Sequence, residues 1–304
     1  MRVAAVDCGT NSIRLLVADV NGSTKHDVHR EMRVVRLGEG VDRTGRLSEA
    51  ALARTREALE HYASVVHALE CARVRMVATS ATRDAENRED FVAMVRDVLG
   101  VDPEVVTGDE EAALSFDGAT RDLGQEGAPF LVADIGGGST ELVLGSTSVQ
   151  AARSVDVGCV RLTERHLHDD PPTAAQVAAA EADVDAALAL VREVVPVEQV
   201  RTFLGLAGSV TTVAAHALGL ATYDSEAIHL ARLPAADVAR ACTSLLEMSR
   251  ADRAMLPYMH PGRVDVIGAG ALVLRTLVDR LGLAEVVVSE ADILDGIAWS
   301  AARP

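Results

Sequence analysis

Apolar runs of strand length open the chain. They fall at 2–7, 12–20 and about 26–37; Asp-Cys-Gly-Thr-Asn joins the first two and Asn21-Gly22, a strong hairpin signal, joins the second two. The period then changes. Ser48 opens a long amphipathic helix to about Glu70, RVRMVATS (73–80) reads as a buried strand, and Asn87 caps a helix to about Leu99. EVVT (104–107) is a short strand, and Gly108-Asp109 starts a helix through about Thr120. The order is β-β-β-α-β-α-β-α, and the polar stretch DLGQEGAP (122–129) follows as a linker.

The pattern then restarts. Strands are predicted near 130–135, 140–145 and 148–157, then a short helix from 159 and a long helix at 174–194 whose alanine richness is helix propensity. VRTFLGLA (200–207) is a strand leading into Gly208-Ser209 and a helix. Further helices follow Pro234 and Gly268, EVVVS (285–289) is a last strand, and 290–302 a last helix. The echo reaches single residues. Phe130–Gly145 reads FLVADIGGGSTELVLG and Val3–Ala18 reads VAAVDCGTNSIRLLVA; offset by 127, Asp7 falls on Asp134, Gly9 on Gly136, Ser12 on Ser139 and Leu15 on Leu142. A duplicated α/β domain is expected, with the first copy over 1–124, completed by the C-terminal helix at 290–304, and the second over 125–289. Two facing copies would leave a cleft with one loop on each wall.

Composition narrows the chemistry. A chain of 304 residues, 49% hydrophobic, has apolar content enough for two cores. No window of about 18 residues lacks charge or turn signals, so no membrane span is expected, and the start of the chain has no signal-peptide pattern. A cytoplasmic protein is the expectation. Cys8, Cys71, Cys159 and Cys242 are far apart, with no C-x-x-C pair, and read as small buried apolar residues. The net charge of −16 disfavours nucleic acid and anionic membranes as partners. Lys25 is the only lysine, so a Walker loop and a kinase-type strand lysine are both absent. Any phosphate chemistry must draw on backbone N–H groups, arginines and a metal ion.

The repeated hairpin can supply the first of these. Its tip, Gly9, Thr10, Asn11 and Ser12 in one copy and Gly136, Gly137, Gly138 and Ser139 in the other, presents successive N–H groups as an anion nest, with glycines permitting positive φ and close approach. Asp7 and Asp134, just before the tips, are suited to Mg²⁺. Strand alternation puts Glu141 on the side of Ser139, where it could join Asp134 as a metal ligand or position water; Arg14 holds the matching place in the first copy. Arg83 follows a strand end and could clamp phosphate. Glu110 and Glu111 open a helix, where acidic residues are expected for dipole reasons alone. Gly208 and Ser209 join a strand to a helix start, a further candidate anion site. RHLHDDPP (165–172) invites a metal reading, but its Asp-Asp-Pro-Pro reads as an exposed loop.

The DCGTNS and DIGGGSTE motifs at this spacing resemble the actin-like ATPase superfamily. More specifically, VDCGTNSIRLLVAD, ATSATRDAENRE, VVTGDEEAALSFDG, VADIGGGSTELVLG and VGCVRLTER, extended by GLAGSVTTVAA and RVDVIGAGALVLRTL, resemble the exopolyphosphatase / guanosine pentaphosphate phosphohydrolase (Ppx/GppA) family over residues 3 to about 296. The resemblance implies an α/β fold of duplicated actin-like (ribonuclease H-like) domains, each a mixed five-stranded sheet flanked by helices, with the active site in the interdomain cleft. It implies hydrolysis of the terminal phosphoanhydride of inorganic polyphosphate, or of guanosine pentaphosphate, with Mg²⁺ (or Mn²⁺) as cofactor and a homodimer as assembly. The family's proposed catalytic glutamate matches Glu111, with Glu110 a close second. Longer members add helical C-terminal domains, so short polyphosphates are expected here. Asp295 stands where many relatives have Arg, which puts any phosphate contact of that Arg in doubt. A small-molecule kinase of the same superfamily and a non-catalytic nucleotide or alarmone sensor are the competing classes.

Overall fold

The structure is a computed structural model describing residues 1–303. The chain divides into two compact units. The first holds residues 1–118 and the segment from Ile293 onward; the second is Ala119–Asp292.

In the first unit β1 (Arg2–Cys8), β2 (Ser12–Asn21) and β3 (Thr24–Val34) form an antiparallel meander. Next come α1 (Val41–Thr44), α2 (Glu49–Ala68), β4 (Arg73–Ala78), α3 (Ser80–Asp84), α4 (Arg88–Leu99), β5 (Glu104–Val105) and α5 (Gly108–Thr120). The sheet order is β3-β2-β1-β4-β5, with β4 parallel to β1 and β5 parallel to β4. The hairpin anticipated at Asn21-Gly22 closes there, with Gly22 at φ 60°. β3 ends at Val34, short of the expected 37, because the next amides leave the ladder. Val35 and Arg36 donate instead to the Asn11 carbonyl. Ser48 caps α2 through its hydroxyl, as read. Asn87 precedes α4 but does not cap it; its carboxamide is engaged with both backbone groups of Leu47.

Helices cover both faces of this sheet. Ala4, Val6, Ile13, Leu15 and Val17 point toward Leu59 and Tyr62 of α2 and Phe91 of α4. Val3, Ala5, Leu16 and Ala18 point toward α13 (Ile293–Ala301), whose Ile293, Leu294, Ile297, Ala298 and Trp299 are buried. Each large apolar side chain so buried contributes roughly 1.5–3 kcal/mol. Gly296 lets α13 close on α5, since a Cβ there would overlap the Leu114 carbonyl. Asp295 is also buried, and pairs with Lys25 (3.0 Å) and Arg30 (2.6 Å) of β3. The one lysine is thus structural, and Asp295 ties the last helix to the edge strand.

The second unit repeats the plan. β6 (Phe130–Ile135), β7 (Thr140–Gly145) and β8 (Val149–Val155) form the meander. α6 (Cys159–Arg165), α7 (Ala174–Arg192), β9 (Thr202–Leu206), α8 (Ala207–Ala217), α9 (Ser225–Ile228), β10 (Arg232–Pro234), α10 (Ala235–Glu247), α11 (Arg250–Ala254), α12 (Ile267–Arg280) and β11 (Glu285–Val288) follow. The sheet order is β10-β11-β9-β6-β7-β8, one strand more than the five expected. The extra strand is β10, three residues pairing antiparallel with β11 and ending on Pro234, which an edge strand tolerates. Thr173 and Gln176 form a capping box on α7. No described helix is long and apolar enough to cross a membrane.

Candidate active site

The two loops close with the same bond. Gly9 N–H donates to the Ser12 carbonyl and Gly136 N–H to the Ser139 carbonyl, both at 3.0 Å. None of Gly9, Gly136, Gly137 and Gly138 has positive φ, contrary to expectation. Close approach is what requires glycine: a Cβ on Gly136 would lie 3.0 Å from the Ser139 oxygen.

What turns each loop into an anion nest is the fate of its carbonyls. In the first unit Thr10 O accepts from Gly38 N (2.9 Å), and Asn11 O accepts from Val35 N (3.1 Å) and Arg36 N (2.8 Å). In the second unit the start of α6 does this work. Gly136 O accepts from Cys159 N (3.0 Å), and Gly137 O from Val160 N (2.9 Å) and Arg161 N (3.1 Å). Gly138 O accepts from Arg161 Nε (2.7 Å). With the carbonyls tied on one side, the peptide N–H groups are aimed to the other, the polarity that attracts phosphate. A glycine seats each brace: a Cβ on Gly38 would overlap Thr10, and one on Gly158 would overlap the Gly137–Gly138 backbone. Thr10 Oγ1 is further held by Ser80 Oγ at 2.9 Å.

Behind each loop the same row of the sheet carries the charged groups. In the first unit Asp7 faces Arg14, which faces Met32; in the second Asp134 faces Glu141, which faces Ser154. Arg14 donates to Asp7 Oδ2 from Nε (2.9 Å) and Nη2 (2.6 Å), so the Asp7 charge is compensated on the spot. Asp134 and Glu141 are both buried carboxylates, and Ser154 Oγ donates to Glu141 Oε1 at 2.6 Å. Directly opposed cross-strand residues have Cβ atoms ~4.5–5.5 Å apart. Two such carboxylates fit Mg²⁺, which takes one or two protein carboxylates and completes its shell with water and substrate phosphate. Among the described residues no three His, Cys, Asp or Glu side chains form a closed metal cage.

The two adjacent glutamates of α5 lead different lives. Glu110 is exposed and forms a capping box with Thr107: its carboxylate accepts from Thr107 N (2.8 Å) and Oγ1 (2.9 Å), and Thr107 Oγ1 accepts from Glu110 N (3.2 Å). Those bonds, the backbone one first, hold its carboxyl below the usual range. Glu111 is buried, and its Oε2 accepts from Arg83 Nη1 at 3.0 Å. Arg83 also donates to the Val106 carbonyl at 3.0 Å, so it is braced against the strand end as well as the glutamate.

Gly208 and Ser209 lie in the first turn of α8, entered through Ala207 at φ 67°. The Ser209 side chain points inward, against Gly270 and Cys159, so only its backbone suits an anion. Arg263 lies over Gly208, where a Cβ would overlap its guanidinium, and donates to Thr212 Oγ1 at 3.2 Å.

RHLHDDPP carries no site: His166 pairs with Asp183 (2.8 Å), Asp169 bonds Gln176, and Asp170 receives the Arg250 amide. Cys8, Cys159 and Cys242 are buried, and burial pushes all three thiols up; Cys71 is half-buried. The residues that sequence reasoning missed are the braces, Gly38, Gly158, Arg161 and Arg263. VGCVRLTER contains two of them and was legible only as a matching segment.

Comparison with known proteins agrees with this architecture. The family described as Ppx/GppA phosphatase matches residues 16–303. "Exopolyphosphatase 2" of Mycobacterium tuberculosis is 55% identical over 99% of this chain and 98% of its own length. A guanosine-5'-triphosphate,3'-diphosphate pyrophosphatase of Aeromonas salmonicida is 31% identical over 97% of this chain and 58% of its own. A crystal structure of an exopolyphosphatase-like protein superimposes with a TM-score of 0.95 at 43% identity, covering 98% of each chain.

Proposed function

The chain belongs to the Ppx/GppA phosphatase family, and on that premise we propose that it is an exopolyphosphatase, a phosphoanhydride hydrolase that releases terminal orthophosphate from inorganic polyphosphate. The observation that carries this reading is the pair of loops whose tip carbonyls, Thr10 and Asn11 in one and Gly136, Gly137 and Gly138 in the other, are tied back, a backbone grip for phosphate that needs no lysine.

In the first unit the amides of Thr10–Ser12 hold phosphate oxygens, the Gly9 amide being spent on closing the loop, and Arg83 adds a cation while bracing Glu111. Glu111 accepts the proton of the attacking water, and Glu110 serves the helix start. In the second unit the amides of Gly137–Ser139 grip a second phosphate, the Gly136 amide closing the loop, with the first turn of α8 at Gly208 and Ser209 as a lesser contact. Asp134 and Glu141 would hold Mg²⁺, which supplies neutralisation of charge on the transferring phosphoryl group; Asp7, already paired, has a supporting part. Phosphoryl transfer of this kind is mostly positioning and charge stabilisation.

Short chains are the proposed substrates. Guanosine pentaphosphate is the second reading, favoured by the Aeromonas relative and requiring only a different leaving group. Homodimerisation is proposed from the family resemblance and is read by light scattering. The deciding assay is phosphate release from tripolyphosphate, long polyphosphate, guanosine pentaphosphate and ATP, with and without Mg²⁺. Faster release from the nucleotide would select the second reading, and no release from any substrate would sink the hydrolase assignment.

A further inference from the structure

We infer that Arg161 is a positioning residue for the second phosphate loop: through the Gly138 carbonyl it locks the Gly138–Ser139 peptide with its N–H toward substrate. The inference rests on the hydrolase reading and adds to it a residue outside the loop.

Arg161 sits in the first turn of α6 and holds the loop twice. Its amide donates to Gly137 O at 3.1 Å, and its Nε to Gly138 O at 2.7 Å. The second bond is charge-assisted and short, the stronger kind. The side chain is only 11% exposed, and Asp156 lies 3.9 Å from Nη2. Gly158, pressed on the Gly137–Gly138 backbone, fixes where the helix starts and hence where Arg161 is rooted.

The peptide in question needs a lock. Gly138 has no Cβ, so the peptide plane that joins it to Ser139 can turn about the flanking Cα bonds through angles closed to other residues. Half a turn would exchange the Gly138 carbonyl with the Ser139 N–H and point a negative oxygen at the phosphate. The first loop solves the same problem otherwise. There the matching residue is Asn11, and its carbonyl is held by two backbone amides, Val35 and Arg36. In the second loop a side chain holds that carbonyl, so there substitution can release it without altering the loop itself.

The test is steady-state phosphate release from tripolyphosphate with Mg²⁺ by the full chain, comparing wild type, Arg161→Lys and Arg161→Met. Lysine keeps the charge and one donor, while methionine keeps the bulk. The expected result is a KM raised about 3- to 10-fold in R161K and more than about 10-fold in R161M, with kcat within about twofold in both. A merely structural arginine would lower the melting temperature and the active fraction and leave KM unmoved. If R161M does not fold, R161K alone decides: a KM within twofold of wild type overturns the inference, as does a loss confined to kcat. Should wild type release no phosphate, the hydrolase reading fails, and calorimetric binding of tripolyphosphate to the same proteins replaces KM. Equal affinities, or no binding by wild type, then overturn the inference too.

Discussion

Glu111 accepts a hydrogen bond from Arg83 at 3.0 Å while its neighbour Glu110 turns outward to cap the same helix. One residue of displacement therefore separates a buried, oriented carboxylate from an exposed structural one. Glu111→Gln should lower kcat by about 10²–10⁴-fold, the usual worth of a positioned base. Glu110→Gln, which can still cap, should leave kcat and KM near wild type. Full activity in Glu111→Gln would remove Glu111 from the chemistry.

The Asp134–Glu141 row should govern the metal requirement. Asp134→Asn and Glu141→Gln are each expected to raise the Mg²⁺ concentration at half-maximal rate and to lower kcat/KM by about 10²–10³-fold, the scale of one lost electrostatic contact. Unchanged Mg²⁺ titrations in both variants would move the metal elsewhere.

Asp295 is held by both Lys25 and Arg30, so an arginine in its place should not be tolerated here. Asp295→Arg would set three cations together at a buried position, and the melting temperature should drop sharply. Lys25→Met should cost roughly 1–3 kcal/mol, less than breaking an isolated buried pair because Arg30 remains. Burial pulls the Lys25 amine down, and Asp295 with Asp27 outweighs it, leaving it raised above its ordinary 10.5. The pair's stabilisation is therefore complete below about pH 10 and is lost as pH rises through the folded value. Alkaline melting curves of wild type and Lys25→Met should converge.

Glu31 gives the opposite sign. Burial pushes its carboxyl up, but Arg33, His61 and His29 donate to it and hold it at about 2. Its contribution is present above the unfolded value near 4.5 and fades as pH falls toward 2. Glu31→Gln should be less stable at neutral pH, and denaturant midpoints measured down to pH 2 should approach wild type. A constant gap across that range would contradict the assignment.

The hairpins, their loops and the duplicated plan were legible because Asp, Gly and Ser stand at fixed spacing between apolar runs, and hairpin geometry is local. Glu110 and Glu111 were not separable, since both satisfy the preference for acids at a helix start and only the tertiary position of Arg83 distinguishes them. The braces were hidden for a related reason. Gly38, Val35 and Arg36 lie more than 20 residues from Thr10 and Asn11, as Arg161 lies from Gly138 (|i−j| 23), and no periodicity announces a carbonyl's partner. β10 escaped because three residues ending in proline carry no strand signal.

The return of α13 to the first sheet has a consequence for biosynthesis. Val3, Ala5, Leu16 and Ala18 are made before Ala119–Asp292, yet the helix that covers them is made after it. At ~5–20 residues per second, that intervening stretch takes on the order of ten to thirty seconds to translate. For that interval the nascent first unit lacks α13 over an apolar sheet face, a surface open to chaperones until that helix emerges from the ribosome.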